Sequence, residues 1–243
     1  MLTSVSLLID KFVAVYFFNQ DLQNLEQDFM NTAVILIIVA NVIVSFKGFK
    51  DRAFFEKFKF QIGPIVKGEK LRLLASGFLH VDQSHLFFNM LTLYFFADPV
   101  IRFIGVPKFL AVYFGSLLAG SLFALNFHKK EPYYSAVGAS GAVMGVLYAA
   151  IMLNPGMNLY MFFIPIPIPA YVFGVGYLLY SIFGMKKQWG NIGHSAHIGG
   201  AIGGYVLSII FYPSILVNNK LIVILLAVPI VLMFVFKDKL ERN

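Results

Sequence analysis

His194-Ser-Ala-His197-Ile-Gly-Gly200-Ala-Ile-Gly-Gly204-Tyr-Val-Leu-Ser-Ile-Ile-Phe-Tyr212 is the stretch that decides the architecture. No Asp, Glu, Lys or Arg interrupts residues 194–212. A helix of that length covers about 28 Å, close to the hydrocarbon thickness of a bilayer. The stretch therefore predicts a membrane-spanning helix. Gly200 and Gly204 stand four apart, the spacing that lets a neighbouring helix approach closely. The two histidines sit near its start, and ionisable groups inside an apolar span are costly enough to suggest function.

Outward from this span the composition agrees. Of 243 residues, 59% are hydrophobic and 13% charged, with a mean hydropathy of +0.78. Soluble domains run at about 45–50% apolar and about 25% charged, so a water-soluble globule is excluded. The 27 Phe and 12 Tyr exclude a disordered chain. Six further apolar runs, at roughly 30–46, 84–103, 108–127, 135–153, 168–184 and 219–236, are long enough to span. The expected fold is all-α: a polytopic membrane bundle with a six-helix core and a seventh, C-terminal span. The chain has no cysteine, which excludes disulfides, thiolate metal sites and a cysteine nucleophile.

Three regions follow. Residues 1–29 read as an interfacial amphipathic segment, with Leu2, Val5, Leu8, Ile9, Phe12, Val13 and Tyr16 at helical spacing. No basic leader or small-residue cleavage site suggests a signal peptide there. Residues 30–212 are expected to form the six-helix membrane domain, and 213–243 to add the last span and a short basic tail. The long connection, 47–83, holds eight Lys/Arg among several phenylalanines and is expected on the membrane surface against lipid headgroups. Membrane lipids account for both the +7 charge and the aromatics, so nucleic acid is not an expected partner. Ile164-Pro-Ile-Pro-Ile-Pro169 cannot be regular helix and is expected to lead stiffly into span five.

Polar residues inside the spans fall in three clusters. These are His80-Val-Asp-Gln-Ser-His85-Leu-Phe-Phe-Asn89, Gly138-Ala-Ser140-Gly141-Ala-Val-Met144-Gly145 and Gly193-His194-Ser-Ala-His197-Ile-Gly-Gly200. They open spans two, four and six, and because successive spans alternate in direction, all three share one membrane face. Gly141 and Gly145, like Gly200 and Gly204, also read as ordinary helix-packing pairs. The convergence on one face and one depth points further. A serine hydroxyl needs an adjacent base, which His197 can supply to Ser140. The Asn89 amide, a His85 ring N–H and the Ser140 backbone N–H can stabilise an oxyanion, and the glycines about Ser140, Gly138 among them, let the backbone approach a carbonyl. No acidic residue lies within span four or six, so a Ser–His dyad is expected rather than a triad. The rival reading of the histidines is a metal site from His80, His85, His194 and His197; it lacks an HExxH motif and a nearby carboxylate, so no metal is expected.

In these clusters the chain resembles the rhomboid intramembrane serine proteases. Gly138-Ala-Ser140-Gly141 matches a GxSG signature, and Ala196-His197 through Gly200 to Gly204 matches AHxxGxxxG. His80, His85 and Asn89 match an HxxxxHxxxN pattern, and the resemblance covers about residues 30–212. It implies Ser140 as nucleophile, His197 as base, and His85 and Asn89 at the oxyanion. His80 is structural at the loop-to-helix junction, while Gly141, Met144, Gly200 and Gly204 support the site. The resemblance also implies that span five with residues 185–193 is a lateral gate, that the substrates are transmembrane proteins and that no cofactor is required. Two departures stand out. Leu71-Arg72 replaces a usual Trp-Arg pair, which is expected to weaken loop anchoring. Met144 replaces an aromatic that stacks on the catalytic histidine. Fifteen of the nineteen Lys/Arg fall on the catalytic face, so positive-inside favours a site facing the cytoplasm, against the outward opening of bacterial rhomboids. The expected location is a bacterial inner membrane.

Overall fold

The long apolar runs of the sequence become helices here. The computed structural model describes residues 32–161, 164–187 and 193–235. The interfacial segment expected at 1–29 and the basic tail lie outside them. The helices are α1 (Thr32–Lys50), α2 (Arg52–Phe58), α3 (Ile62–Val66), α4 (Arg72–Ala75), α5 (Gln83–Phe127), α6 (Ser140–Leu153), α7 (Ala170–Lys187), α8 (His194–Phe211), α9 (Ile215–Asn218) and α10 (Lys220–Val235). Helices α1 and α5 are each long and apolar enough to cross a bilayer. Helix α5, at 45 residues, is two helices joined at a kink, each about long enough to cross. Gly105 adopts φ +76, which breaks the helix. Beyond it the chain doubles back, so that Leu117, Ser121 and Ala124 line the same cavity as His85 and Asn89. These two halves are the expected spans two and three.

The bundle is inside-out relative to a soluble protein. On α1, Leu36 is 63% exposed while Asn41 and Ser45 are fully buried. In water such an apolar surface would be a liability; facing lipid, it is the solvated side, and the polar groups must find partners within. Asn41 Nδ2 donates to the Ile37 carbonyl at 2.9 Å, and Ser45 Oγ to the Phe78 carbonyl at 2.9 Å. The chain is thus an all-α polytopic membrane bundle.

Helix α6 is the axis. Every residue from Gly141 to Leu153 is buried, which is why its sequence is apolar all round. Glycines bring α6 against α8 and the second half of α5. A Cβ at Gly200 would lie 2.7 Å from the Gly141 carbonyl carbon, and one at Gly120 would lie 2.6 Å from the Ala196 carbonyl oxygen. Only hydrogen fits at those points, so the three backbones are in contact. Helix α6 has 14 residues, about 21 Å at 1.5 Å per residue. That is shorter than a bilayer core and sets Ser140, its first residue, below the level of a full-length span. The sequence placed this span at 135–153; residues 135–139 instead form strand β2 (Ser135–Ala136) and the turn leading to Ser140.

Two other segments are more ordered than their sequences suggested. Residues 47–83 are not a loose loop. They complete α1, form α2 to α4 and a 3-10 turn at Ser76–Phe78, and bury Phe60, Ile62, Ile65 and Leu73 with Ala124 in a small core of their own. Strand β1 (Phe60–Gln61) pairs antiparallel with β2. Arg72 is 8% exposed and binds Glu69 Oε2 and the carbonyls of Glu56 and Lys59 at 2.7, 2.7 and 2.9 Å. The expected weak anchoring is corrected: one guanidinium with several donors in a fixed fork ties three turns together without the missing tryptophan. Ile164–Pro169 is the strand β4, paired antiparallel with β3 (Asn158–Met161). Proline excluded helix there, as expected, but not the hairpin. The C-terminal helix α10 closes the bundle: Asn219 Nδ2 donates to the Met152 carbonyl at 2.8 Å, and Leu226 packs where α7 has only Gly174.

Candidate active site

Asp82 starts the site. Its carboxylate accepts from the His85 backbone N–H at 2.7 Å, capping α5 so that His85 and Asn89 fall one turn apart on the same face. Both line a cavity of about 1170 Å³, together with Gly138, Ser140, Gly141, Tyr177 and His197. Across it, α6 presents Ser140 and α8 presents His197. His197 Nε2 lies 2.6 Å from Ser140 Oγ. The two residues that the sequence separates by 57 positions are therefore in hydrogen-bond contact.

Because Ser140 opens α6, its N–H and those of Gly141 and Ala142 have no acceptor inside the helix. The positive end of the helix dipole adds to them, so the serine and a cluster of backbone donors share one place. Gly138 adopts φ +124, which favours glycine, and a Cβ there would lie 2.7 Å from the His85 ring. The glycine is required both by the turn and by the approach of His85. The His85 Nδ1 is buried with no hydrogen-bond partner among the described residues. Asn89 Nδ2 donates to the His85 carbonyl at 3.0 Å, leaving its second N–H available.

His80 lies outside the cavity and holds the site from behind. Its Nε2 accepts from the Ala139 N–H at 3.3 Å, so its Nδ1 carries the proton and donates to Ser45 Oγ at 2.8 Å. This chain ties α1 and the turn before Ser140 to one neutral ring. Burial, helped by the nearby His85, pushes the His80 pKa from 6.5 down to about 3. Above pH 6.5 the ring is neutral folded or unfolded, and its contribution to stability is complete. As pH falls from about 6.5 toward 3, the unfolded chain takes up a proton that the folded one refuses. Stability should then decline by at most about 1.4 kcal/mol per pH unit for this one group. Denaturation midpoints measured from pH 7.5 to 4.5 should show that decline, and His80→Gln should flatten it.

A second Ser–His pair sits close by. His128 Nε2 is 3.1 Å from Ser195 Oγ, and His128 Nδ1 is 3.0 Å from Glu131 Oε1. The side chains have the composition of a triad, yet Ser195 is 1% exposed and neither it nor His128 lines the cavity. This cluster, stacked on Tyr134, clamps the segment after α5 to α8. Among the described residues, no three His, Asp or Glu side chains gather as a metal-binding group. Met144 is buried within α6's packing, and the partner that meets His197 is Tyr177 of α7, whose hydroxyl lies 2.8 Å from Nδ1. Sequence reading missed Tyr177, because a tyrosine within an apolar run carries no distinguishing signal.

The fold and site define a polytopic helical membrane protein with a Ser–His pair at the wall of a polar cavity. Residues 67–214 match the rhomboid domain family, and the chain belongs to that family. It is 31% identical over 185 residues to RHOMBOID-like protein 12, mitochondrial, of Arabidopsis thaliana, covering 69% of this chain and 55% of the relative. It is 33% identical over 138 residues to Rhomboid protein 1, mitochondrial, of Saccharomyces cerevisiae (56% and 40%). To Rhomboid protease GluP of Bacillus subtilis it is 36% identical over 143 residues (58% and 26%). The chain thus spans about half or less of the length of these relatives. The expected bacterial inner membrane is corrected by these comparisons, since the plant and yeast relatives are named as mitochondrial. The reason is physical: the motifs report helix packing and site chemistry, which are the same in any bilayer and carry no address.

Proposed function

We propose that the protein is an intramembrane serine endopeptidase that cleaves peptide bonds of transmembrane proteins through a Ser140–His197 dyad. The observation that carries this reading is the 2.6 Å contact between Ser140 Oγ and His197 Nε2 at the wall of a cavity that also holds His85 and Asn89. Ser140 Oγ attacks the scissile carbonyl carbon as its proton passes to His197 Nε2. The oxyanion forms at the N-terminus of α6, where the backbone donors, the second Asn89 N–H and the His85 ring can stabilise it. The C–N bond then breaks as Nε2 returns the proton to the leaving amine. Water, activated by the same nitrogen, hydrolyses the acyl-enzyme. A helical substrate must unwind locally to expose its carbonyl, because helical hydrogen bonds otherwise occupy it.

The test is labelling of purified protein in mild detergent with a fluorophosphonate probe, with mass spectrometry to locate the adduct. An adduct on Ser140 supports an activated serine. No adduct and no cleavage of a transmembrane reporter would favour a family member that binds transmembrane clients without cutting them. Asn89→Ala should retain slow cleavage, with kcat down about 10²–10³-fold and the adduct still on Ser140, as expected for the loss of one oxyanion donor.

A further inference from the structure

Resting on that reading, we propose that Tyr177 is a positioning residue: its hydroxyl oxygen accepts the Nδ1–H of His197, holding the ring in the tautomer whose Nε2 can take the Ser140 proton. The residues that carry the argument come from three helices. Ser140 opens α6, His197 lies on α8, and Tyr177 lies on α7 with its oxygen 2.8 Å from His197 Nδ1. A neutral imidazole has one N–H and one lone pair. If Nε2 is to act as base toward Ser140, the hydrogen must be on Nδ1, and Tyr177 is the group placed to accept it. In the opposite tautomer the tyrosine would donate to Nδ1 and Nε2–H would point at Ser140, which leaves the serine without a base.

Among the described residues, no carboxylate bonds this ring. The described side chains placed about the ring include Ser140, Tyr177, His194, whose ring centre is 6.5 Å away, and His85 across the cavity. A tyrosine oxygen is a weaker acceptor than a carboxylate, but it orients the ring without introducing a buried charge that would need its own partner. When the Ser140 proton arrives at Nε2, the Nδ1–H stays where it is and its bond to the tyrosine oxygen strengthens, since the donor is now charged. No atom is transferred to Tyr177.

Because the tyrosine comes from α7, the base is aligned only while α7 is seated. Two of the described contacts bear on that seat. Tyr148 of α6 donates its hydroxyl to the Gly174 carbonyl. Leu226 of α10 packs at Gly174, where a Cβ would lie 3.0 Å from Leu226 Cδ2 and 3.1 Å from Ile151 Cδ1. Gly174 is one turn before Tyr177, so these contacts fix the height of the tyrosine against the ring.

The experiment has two arms. In the first, the histidine ring nitrogens of the wild-type protein are observed by ¹⁵N NMR in detergent, with His197→Ala assigning the signal. A His197 ring protonated at Nδ1 is expected in the wild type, and a mixture of tautomers in Tyr177→Phe. In the second, kinetics are compared for wild type, Tyr177→Phe and Tyr205→Phe, the last of which removes a tyrosine hydroxyl bond (to the Val223 carbonyl) away from the site. Tyr177→Phe should lower kcat about 10- to 100-fold with KM little changed, as for a misaligned catalytic group, while Tyr205→Phe keeps kcat. A wild-type ring protonated at Nε2, or a Tyr177→Phe enzyme with unchanged tautomer and kcat, would overturn the proposal. Failure of Tyr177→Phe to fold leaves the wild-type spectrum to decide. Absence of a Ser140 adduct in the wild type would instead sink the dyad, so the two failures are distinct.

Discussion

Ser140→Ala should abolish cleavage of a transmembrane reporter, lowering kcat on the order of 10⁴- to 10⁶-fold, the range seen when a serine nucleophile or its base is removed. The fold should survive. Ser140 is half-buried and, among the described residues, its side chain bonds His197, so its loss removes one hydrogen bond, worth about 1 kcal/mol. His197→Ala should fail equally, because the two residues act as a unit and their losses do not add. Thermal unfolding within a few degrees of wild type, with fluorophosphonate labelling gone, is the expected pairing of results. Ser195→Ala supplies the contrast. Ser195 also faces a histidine, but it is closed off from the cavity, and its replacement should leave the Ser140 adduct in place. Full activity in Ser140→Ala, or an adduct that moves to Ser195, would sink the assignment.

Gly200→Val should be the most damaging single substitution in the packing, and for a different reason. Its Cβ would press directly into the Gly141 carbonyl and lie 2.9 Å from Gly141 Cα. Backbone cannot rotate away as a side chain can. Helices α6 and α8 would have to separate, and the same face carries Gly204 against Gly145. Overpacking a core typically costs about 1–3 kcal/mol; a clash of backbone on backbone belongs at or above the upper end. The separation also draws His197 away from Ser140, so labelling should fall even in the fraction that folds. Gly176→Ala gives the comparison, because a Cβ there meets nothing within 4 Å and should change little. Equal unfolding midpoints for Gly200→Val and wild type would show that the α6–α8 contact is not set by these glycines.

The spans were legible because length and lack of charge are properties of a local stretch. So were the reactive groups: Ser140, His197, His85 and Asn89 are polar residues where an apolar helix has no need of them. The glycine spacing on α6 and α8 was read both as packing and as setting for a nucleophile, and the structure joins the two, since Gly200 against Gly141 is what brings His197 to Ser140. The folded state of residues 47–83 was not legible. Arg72 reaches carbonyls 13 and 16 positions away, and no local pattern announces such a reach.

By itself, then, the sequence determined the membrane-helical architecture, the order of the spans and the identity of the dyad candidates. Each follows from residue type and spacing within a single helix or turn. Only the tertiary structure decided that Ser140 lines the cavity while Ser195, which also faces a histidine, is closed off from it, and that a tyrosine on α7 meets His197. Those outcomes depend on distances between helices, and such distances are set by where glycine backbones touch.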